Sequence, residues 1–119
     1  MKTPFVADMP NILVVHASAA IIGSCKSVAP ALGMPVRVAS DVTSAADLVR
    51  AMRPLVLVCD ASAGAEDASA IAHLASTIDA VTVQLDGRES TEDVTAVLRE
   101  ACVQAEAKRR EGAVVTGRD

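Results

Sequence analysis

Apolar residues along the chain alternate between short continuous runs and helical spacing. Four short runs predict β-strands, over residues 11–16, 35–39, 55–59 and roughly 80–85. After each strand, apolar residues recur at three- and four-residue intervals, which predicts a helix. Strands and helices that alternate over short connections form parallel sheets with right-handed crossovers. The expected fold class is therefore α/β, a three-layer helix-sheet-helix sandwich around a mostly parallel sheet of four to five strands.

Capping residues predict where the first two helices begin and end. Ser18 is a suitable N-cap for the first helix, and Gly33 is placed to end it in the left-handed conformation. Pro30 is expected to kink the last turn of this helix or to replace it with loop. Ser44 and Asp47 resemble a capping box, which predicts that the second helix begins at Ser44.

The last helix has the clearest predicted start. Ser90 or Thr91 is expected to cap it, and the basic run 108–110 matches the dipole at its C-terminal end. Residues 111–119 are then expected to be a polar tail, in which 113–116 form either a short edge strand or part of a frayed end.

Length and composition fit one small domain with an aliphatic core. Hydrophobic residues make up 51% of the 119 residues, but aromatic residues only 1%. We divide the chain into a lead-in over 1–10, an α/β domain over 11–110 and the polar tail over 111–119. No apolar run approaches the ~18 residues of a membrane span. Because the first residues lack an apolar signal region, we expect a cytoplasmic protein.

Charge and cysteine content exclude several classes of function. The net charge is −4 and one basic cluster exists, so with a single aromatic residue to stack on bases, nucleic-acid binding is not expected. Three scattered cysteines without a Cys-x-x-Cys pair predict buried, reduced thiols and neither a zinc site nor a disulfide framework. No glycine-rich phosphate loop follows the first strand, so no cofactor and no metal are expected.

Candidate functional groups follow the predicted strands, because ligands of open parallel sheets bind at the carboxyl ends of the strands. These candidates are His16, Ser40 and Asp41, Asp60, and Asp86. Asp60 ends a fully apolar run, as a phosphoryl acceptor would, or as a polar cap bonded to loop amides. His16 is either a phosphocarrier or a loop histidine. Cys59 is expected to point into the core, and His73 to face solvent.

The segment around Asp60 resembles the receiver domain of response regulators in two-component signalling. The resemblance rests on Val58-Cys59-Asp60 and on the spacing to Ala63-Gly64 and Asp67-Ala68, and in element order it covers about residues 10–110. It implies a flavodoxin-like, receiver-like fold in which Asp60 occupies the place of the phosphoacceptor.

Several residues that receivers use are absent from this sequence. The first strand ends on His16 and Ala17, where the family has the acidic pair that binds Mg²⁺. None of the three lysines follows a strand, no Tyr or Trp can act as the switch aromatic, and four strand-helix units are found where the family has five. Phosphoryl transfer depends on metal and fixed positive charge. The resemblance is therefore to a degenerate receiver, a pseudo-receiver.

The leading hypothesis is a non-catalytic signalling or assembly module, not an enzyme, that contacts a protein partner. It forms a dimer through a helical face and works without phosphorylation. The first alternative is a phosphoryl acceptor at Asp60 or a phosphoryl carrier at His16. A small-ligand site at the carboxyl ends of the strands is the remaining alternative, formed by the acidic residues there together with His16.

Overall fold

The four predicted strands form one parallel sheet. The computed structural model describes the backbone of residues 10–118 and the side chains of residues 10–111. The strands are β1 (Ile12–Val15), β2 (Val36–Ala39), β3 (Val56–Asp60) and β4 (Val81–Leu85). Their order is β2-β1-β3-β4, with every neighbouring pair parallel. The expected α/β class is confirmed, and the described residues form a sheet of four strands.

Four helices cover the two faces of this sheet. They are α1 (Ala19–Leu32), α2 (Val42–Met52), α3 (Ala65–Thr77) and α4 (Thr91–Arg118). One core contains apolar residues of α1 and α4 against one face, and a second contains those of α2 and α3 against the other. The expected three-layer sandwich is therefore confirmed.

The central strands β1 and β3 alternate their side chains between the two cores. Ile12 and Val14 lie in the α1–α4 core, whereas Leu13 and Val15 lie in the α2–α3 core. All four are at most 1% exposed. Burial on both faces explains why these strands read as continuous apolar runs instead of alternating ones. Cys59 is buried in the α2–α3 core, as predicted.

The predicted ends of α1 are confirmed, whereas the loop expected as one possible effect of Pro30 does not form. Ser18 Oγ accepts a hydrogen bond from the Ile21 N–H, and Gly33 adopts the left-handed conformation with φ 72°. The helix continues through Pro30 to Leu32. A proline removes one helical hydrogen bond. Here that loss falls in the last turn, and Val28 and Leu32, on either side of Pro30, pack against the core.

The predicted cap of α2 at Ser44 is wrong. The helix begins at Val42, and the Asp41 carboxylate accepts the Ser44 N–H at 2.7 Å. Asp41 has the extended backbone of an N-cap, and Asp caps as well as Ser does. The capping-box spacing therefore pointed three residues too far along the chain.

The predicted tail is also wrong in part, because α4 continues to Arg118. Ser90 caps this helix through the Asp93 N–H, as expected. Residues 113–116 form no edge strand, and the basic run 108–110 lies within the helix. Strong helix formers dominate 101–111, and adding a turn to an existing helix is easier than starting a strand. Residues 1–9 of the lead-in lie outside the described residues.

Within the part of the chain that the structure describes, no helix has the length and apolar character needed to cross a membrane.

Candidate functional site

Asp60 lies at the carboxyl end of β3 with both carboxylate oxygens hydrogen-bonded. Its Oδ1 accepts the Ser62 N–H at 2.9 Å and the Ser62 hydroxyl at 2.7 Å. Its Oδ2 accepts the Ser18 N–H at 3.2 Å, at the start of α1. The carboxylate therefore joins the loop after β3 to the loop after β1. The hydrogen bonds to loop amides that the sequence offered as one interpretation of Asp60 are present.

These hydrogen bonds hold the Asp60 carboxyl in its charged form. The Ser62 N–H and hydroxyl are the main reasons why the pKa of Asp60 lies below its ordinary value, and the Ser18 N–H and the nearby His16 lower it further. Partial desolvation opposes this effect. The side chain is half-buried, so an ionised carboxylate remains accessible from solvent.

His16 lies between the ends of β2 and β3 because β1 lies between those strands. Its N–H donates to the Ala39 carbonyl at 2.8 Å, and its backbone has the left-handed φ of 47°. The imidazole is exposed. It contributes to lowering the pKa of both Asp41 and Asp60, after the hydrogen bonds that each of them accepts. His16 is therefore the histidine that faces the two carboxylates.

The five candidate residues at the strand ends are brought together only in part. His16, Asp41 and Asp60 lie together at the carboxyl ends of β1, β2 and β3, which we call the mouth of the sheet. Ser40 stands next to Asp41. Asp41 is committed to its capping bond, which is the main cause of its lowered pKa. Asp86 follows the edge strand β4, where its carboxylate accepts the Arg88 N–H of its own loop.

Sequence reasoning missed three contacts at the carboxyl ends of β3 and β4. Ser62 completes a local turn with Asp60, and the Asp-x-Ser spacing is a signal that could have revealed it. Glu89 accepts the N–H groups of Asp86 and Gly87. Gly87 has φ 89°, and a Cβ built there would meet the Ala20 Cβ at 3.4 Å. The loop after β4 therefore lies against the start of α1.

Two lysines lie within the described residues, and both are on helices. Lys26 lies on an exposed position of α1, and Lys108 borders a groove beside Ala80 and Val81, at the start of β4. The third lysine lies outside the described residues. Within residues 10–111, no cluster of three or more His, Cys, Asp or Glu side chains is placed to hold a metal ion.

The remaining sequence predictions concern side chains away from this mouth. His73 is exposed on α3, as expected. The three cysteines are free and buried. Burial, with a smaller contribution from the Glu89 charge, raises the pKa of the Cys25 thiol to about 11. Burial likewise raises the pKa of Cys59 and Cys102. Protonated, enclosed thiols are poor nucleophiles.

Comparison with known proteins supports the fold and leaves the function open. The sequence matches no protein-family model and no curated protein. The structure is similar to the chemotaxis protein CheY4 of Vibrio cholerae, with a TM-score of 0.55 and 15% identity over 78% of this chain and 98% of that one. It is also similar to the receiver domain of NtrC4 from Aquifex aeolicus, with a TM-score of 0.56 and 15% identity over 87% of this chain and 98% of that one. The chain therefore has a receiver-like fold.

Proposed function

We propose that this chain is a non-catalytic pseudo-receiver that acts in signalling or assembly through protein–protein contacts. Its contacts do not depend on phosphorylation, and it is not an enzyme. The observation that carries this proposal is the state of Asp60. Both of its oxygens accept hydrogen bonds from Ser18 and Ser62, so the carboxylate stabilises the loops around it.

The charges around Asp60 support the same proposal. A carboxylate that attacks a phosphoryl group needs cations to offset the charge on the phosphoryl oxygens. Among the described residues, His16 is the charged group that lowers the pKa of Asp60, after the hydrogen bonds that the carboxylate accepts. One exposed imidazole does not replace the metal ion and the fixed cation on which such an attack depends.

One alternative keeps support from the structure. Asp60 stands at the carboxyl end of a central strand, ionised and half-buried, which is where a phosphoacceptor of this fold is expected. A carrier function at His16 rests on less, since its support is an exposed imidazole at the end of β1.

Incubation with acetyl phosphate and Mg²⁺ tests the proposal, with intact-mass spectrometry as the measurement. A receiver that phosphorylates itself under these conditions is the positive control. We expect no adduct on the wild-type chain or on Asp60→Ala. Robust labelling that disappears in Asp60→Ala overturns the proposal in favour of an acyl phosphate. Labelling that survives alkali and disappears in His16→Ala overturns it in favour of a phosphohistidine.

A further inference from the structure

The two edges of the sheet differ in their protection against pairing. The edge strand β2 carries the exposed Arg37 in its middle. The other edge strand, β4, has the sequence Val-Thr-Val-Gln-Leu, without a charge or a proline. The nearest charges, Asp79 and Asp86, lie beyond its ends. Natural sheets protect their edges with charged side chains, prolines or bulges. By this criterion β4 is an unprotected edge.

The hydrogen-bonding groups on the free side of β4 belong to Thr82 and Gln84. The Val81 N–H donates to Leu55, and the Leu85 carbonyl accepts the Ala61 N–H, so these residues turn their backbone groups towards β3. Backbone groups alternate in direction along a strand. Thr82 and Gln84 therefore direct their N–H and carbonyl groups away from the sheet, and both are exposed.

Shallow grooves flank this edge on both faces of the sheet. One, of about 350 Å³, lies between β4 and the flank of α4, and Val97 lines it with 40% of its surface exposed. The other, of about 340 Å³, lies on the α3 side and includes Ala72 and Ala75. The grooves share Val81, Thr82 and Gln104, so they form one continuous surface. We call the β4 edge and these two grooves the β4 surface.

We propose that the β4 surface binds a second copy of this chain, with the two β4 strands antiparallel across a two-fold axis at Val83. This inference rests on the proposed function, because it names the partner of a module that acts through protein contacts. It also replaces the helical face expected from the sequence with a strand edge flanked by a helix.

The symmetry of β4 favours a second copy as the occupant. Thr82 and Gln84 stand on either side of Val83, so a two-fold axis there places Thr82 of each copy opposite Gln84 of the other. Such facing residues exchange N–H and carbonyl bonds in an antiparallel ladder. Val83 and the neighbouring Val97 then meet their own counterparts near the axis, where an interface has its apolar centre.

The strand edges that would remain exposed in a dimer give a second argument for self-association. Joining two β4 strands covers the unprotected edge of both copies at once, and the edges left exposed are the two β2 strands with Arg37. A foreign strand bound at β4 would itself become a new edge. Because β4 has only five residues, we expect an interface below the roughly 1,600 Å² of a standard one and a dimer that dissociates in the micromolar range.

Two valines on α4 provide a matched test. Val97 borders the β4 surface, whereas Val103 is 54% exposed and lines neither of its grooves. Sedimentation equilibrium from about 1 to 100 µM brackets micromolar dissociation. We expect a monomer–dimer equilibrium for wild type and Val103→Glu, and at least about a tenfold weaker dimer for Val97→Glu. Circular dichroism establishes that each variant is folded.

Prolines on the two edge strands test the backbone pairing. Thr82→Pro removes an N–H that points away from the sheet, and Val38→Pro does the same on β2. We expect only Thr82→Pro to weaken the dimer. A wild-type monomer at every concentration overturns the inference and leaves the edge to another partner. A dimer unaffected by Val97→Glu and Thr82→Pro overturns it in favour of a different interface. Neither outcome changes the result expected from the phosphorylation test of the proposed function.

Discussion

Replacing Asp60 by alanine separates a structural carboxylate from a functional one. The variant loses the acceptor of three hydrogen bonds, from the Ser18 N–H, the Ser62 N–H and the Ser62 hydroxyl. Each such bond contributes about 0.5–1.5 kcal/mol. These bonds lie near solvent, which competes for the donors, so we take the lower end of that range. We expect Asp60→Ala to lower the free energy of unfolding by about 1–2 kcal/mol at pH 7.

The pH dependence of this loss follows from the pKa of Asp60. Folding lowers that pKa from its ordinary value of 3.8. The stabilisation by the charged carboxylate is therefore present above pH 3.8 and disappears as the pH falls through the folded pKa. The difference in the free energy of unfolding between wild type and Asp60→Ala should therefore become smaller in acid.

Urea unfolding followed by circular dichroism, at neutral and acidic pH, measures both effects. Glu106→Ala, which removes an exposed carboxylate on α4, is the control and should change little. Active-site residues often cost stability, and their removal then stabilises the protein. An unfolding midpoint that rises in Asp60→Ala would refute the structural interpretation of this carboxylate.

Three further predictions concern other parts of the fold. Arg109 donates from Nε and Nη2 to the Ile78 and Pro54 carbonyls. In urea unfolding, Arg109→Ala should lower the free energy of unfolding by about 1.5–3 kcal/mol, and Arg110→Ala by much less. Equal losses would contradict this role of Arg109. His16 has the left-handed φ of 47°. In urea unfolding, His16→Gly should raise the free energy of unfolding by about 0–1 kcal/mol, and His16→Val should lower it. The reverse order would argue against left-handed strain. Cys25, with a pKa of about 11 and no exposed surface, should resist alkylation at pH 8 until urea unfolds the chain; rapid labelling of the folded protein would show that its burial is incomplete.

The order of elements could be predicted because its signals are local. Continuous apolar runs marked β1 and β3, and the serine and glycine at the ends of α1 marked its limits. Burial of the central strands on both faces produces such runs directly. Where two local signals competed, sequence reasoning failed. Asp41 and Ser44 are both good capping residues, and only the backbone conformation of Asp41 decides between them.

For Asp60, the sequence could predict the type of hydrogen-bond partner but not every residue that supplies one. The sequence offers loop amides as partners, and Ser62 stands two residues away, within reach of a local turn. The partner on the other side, the Ser18 N–H, is 42 residues away in sequence. It reaches Asp60 because β1 and β3 are neighbours in the sheet, which is a property of the topology. The partners that hold Arg109 are non-local for the same reason.

The mouth of the sheet and the β4 edge differ in whether their hydrogen-bonding groups already have partners within the protein. At the mouth, both Asp60 oxygens already accept hydrogen bonds from the protein. On the free side of β4, the backbone groups of Thr82 and Gln84 point to solvent, beside an exposed Val97. A module that works by contact uses groups that its own fold has not satisfied. Substitutions at Asp60 should therefore change stability without changing association, whereas Val97→Glu should change association without changing stability.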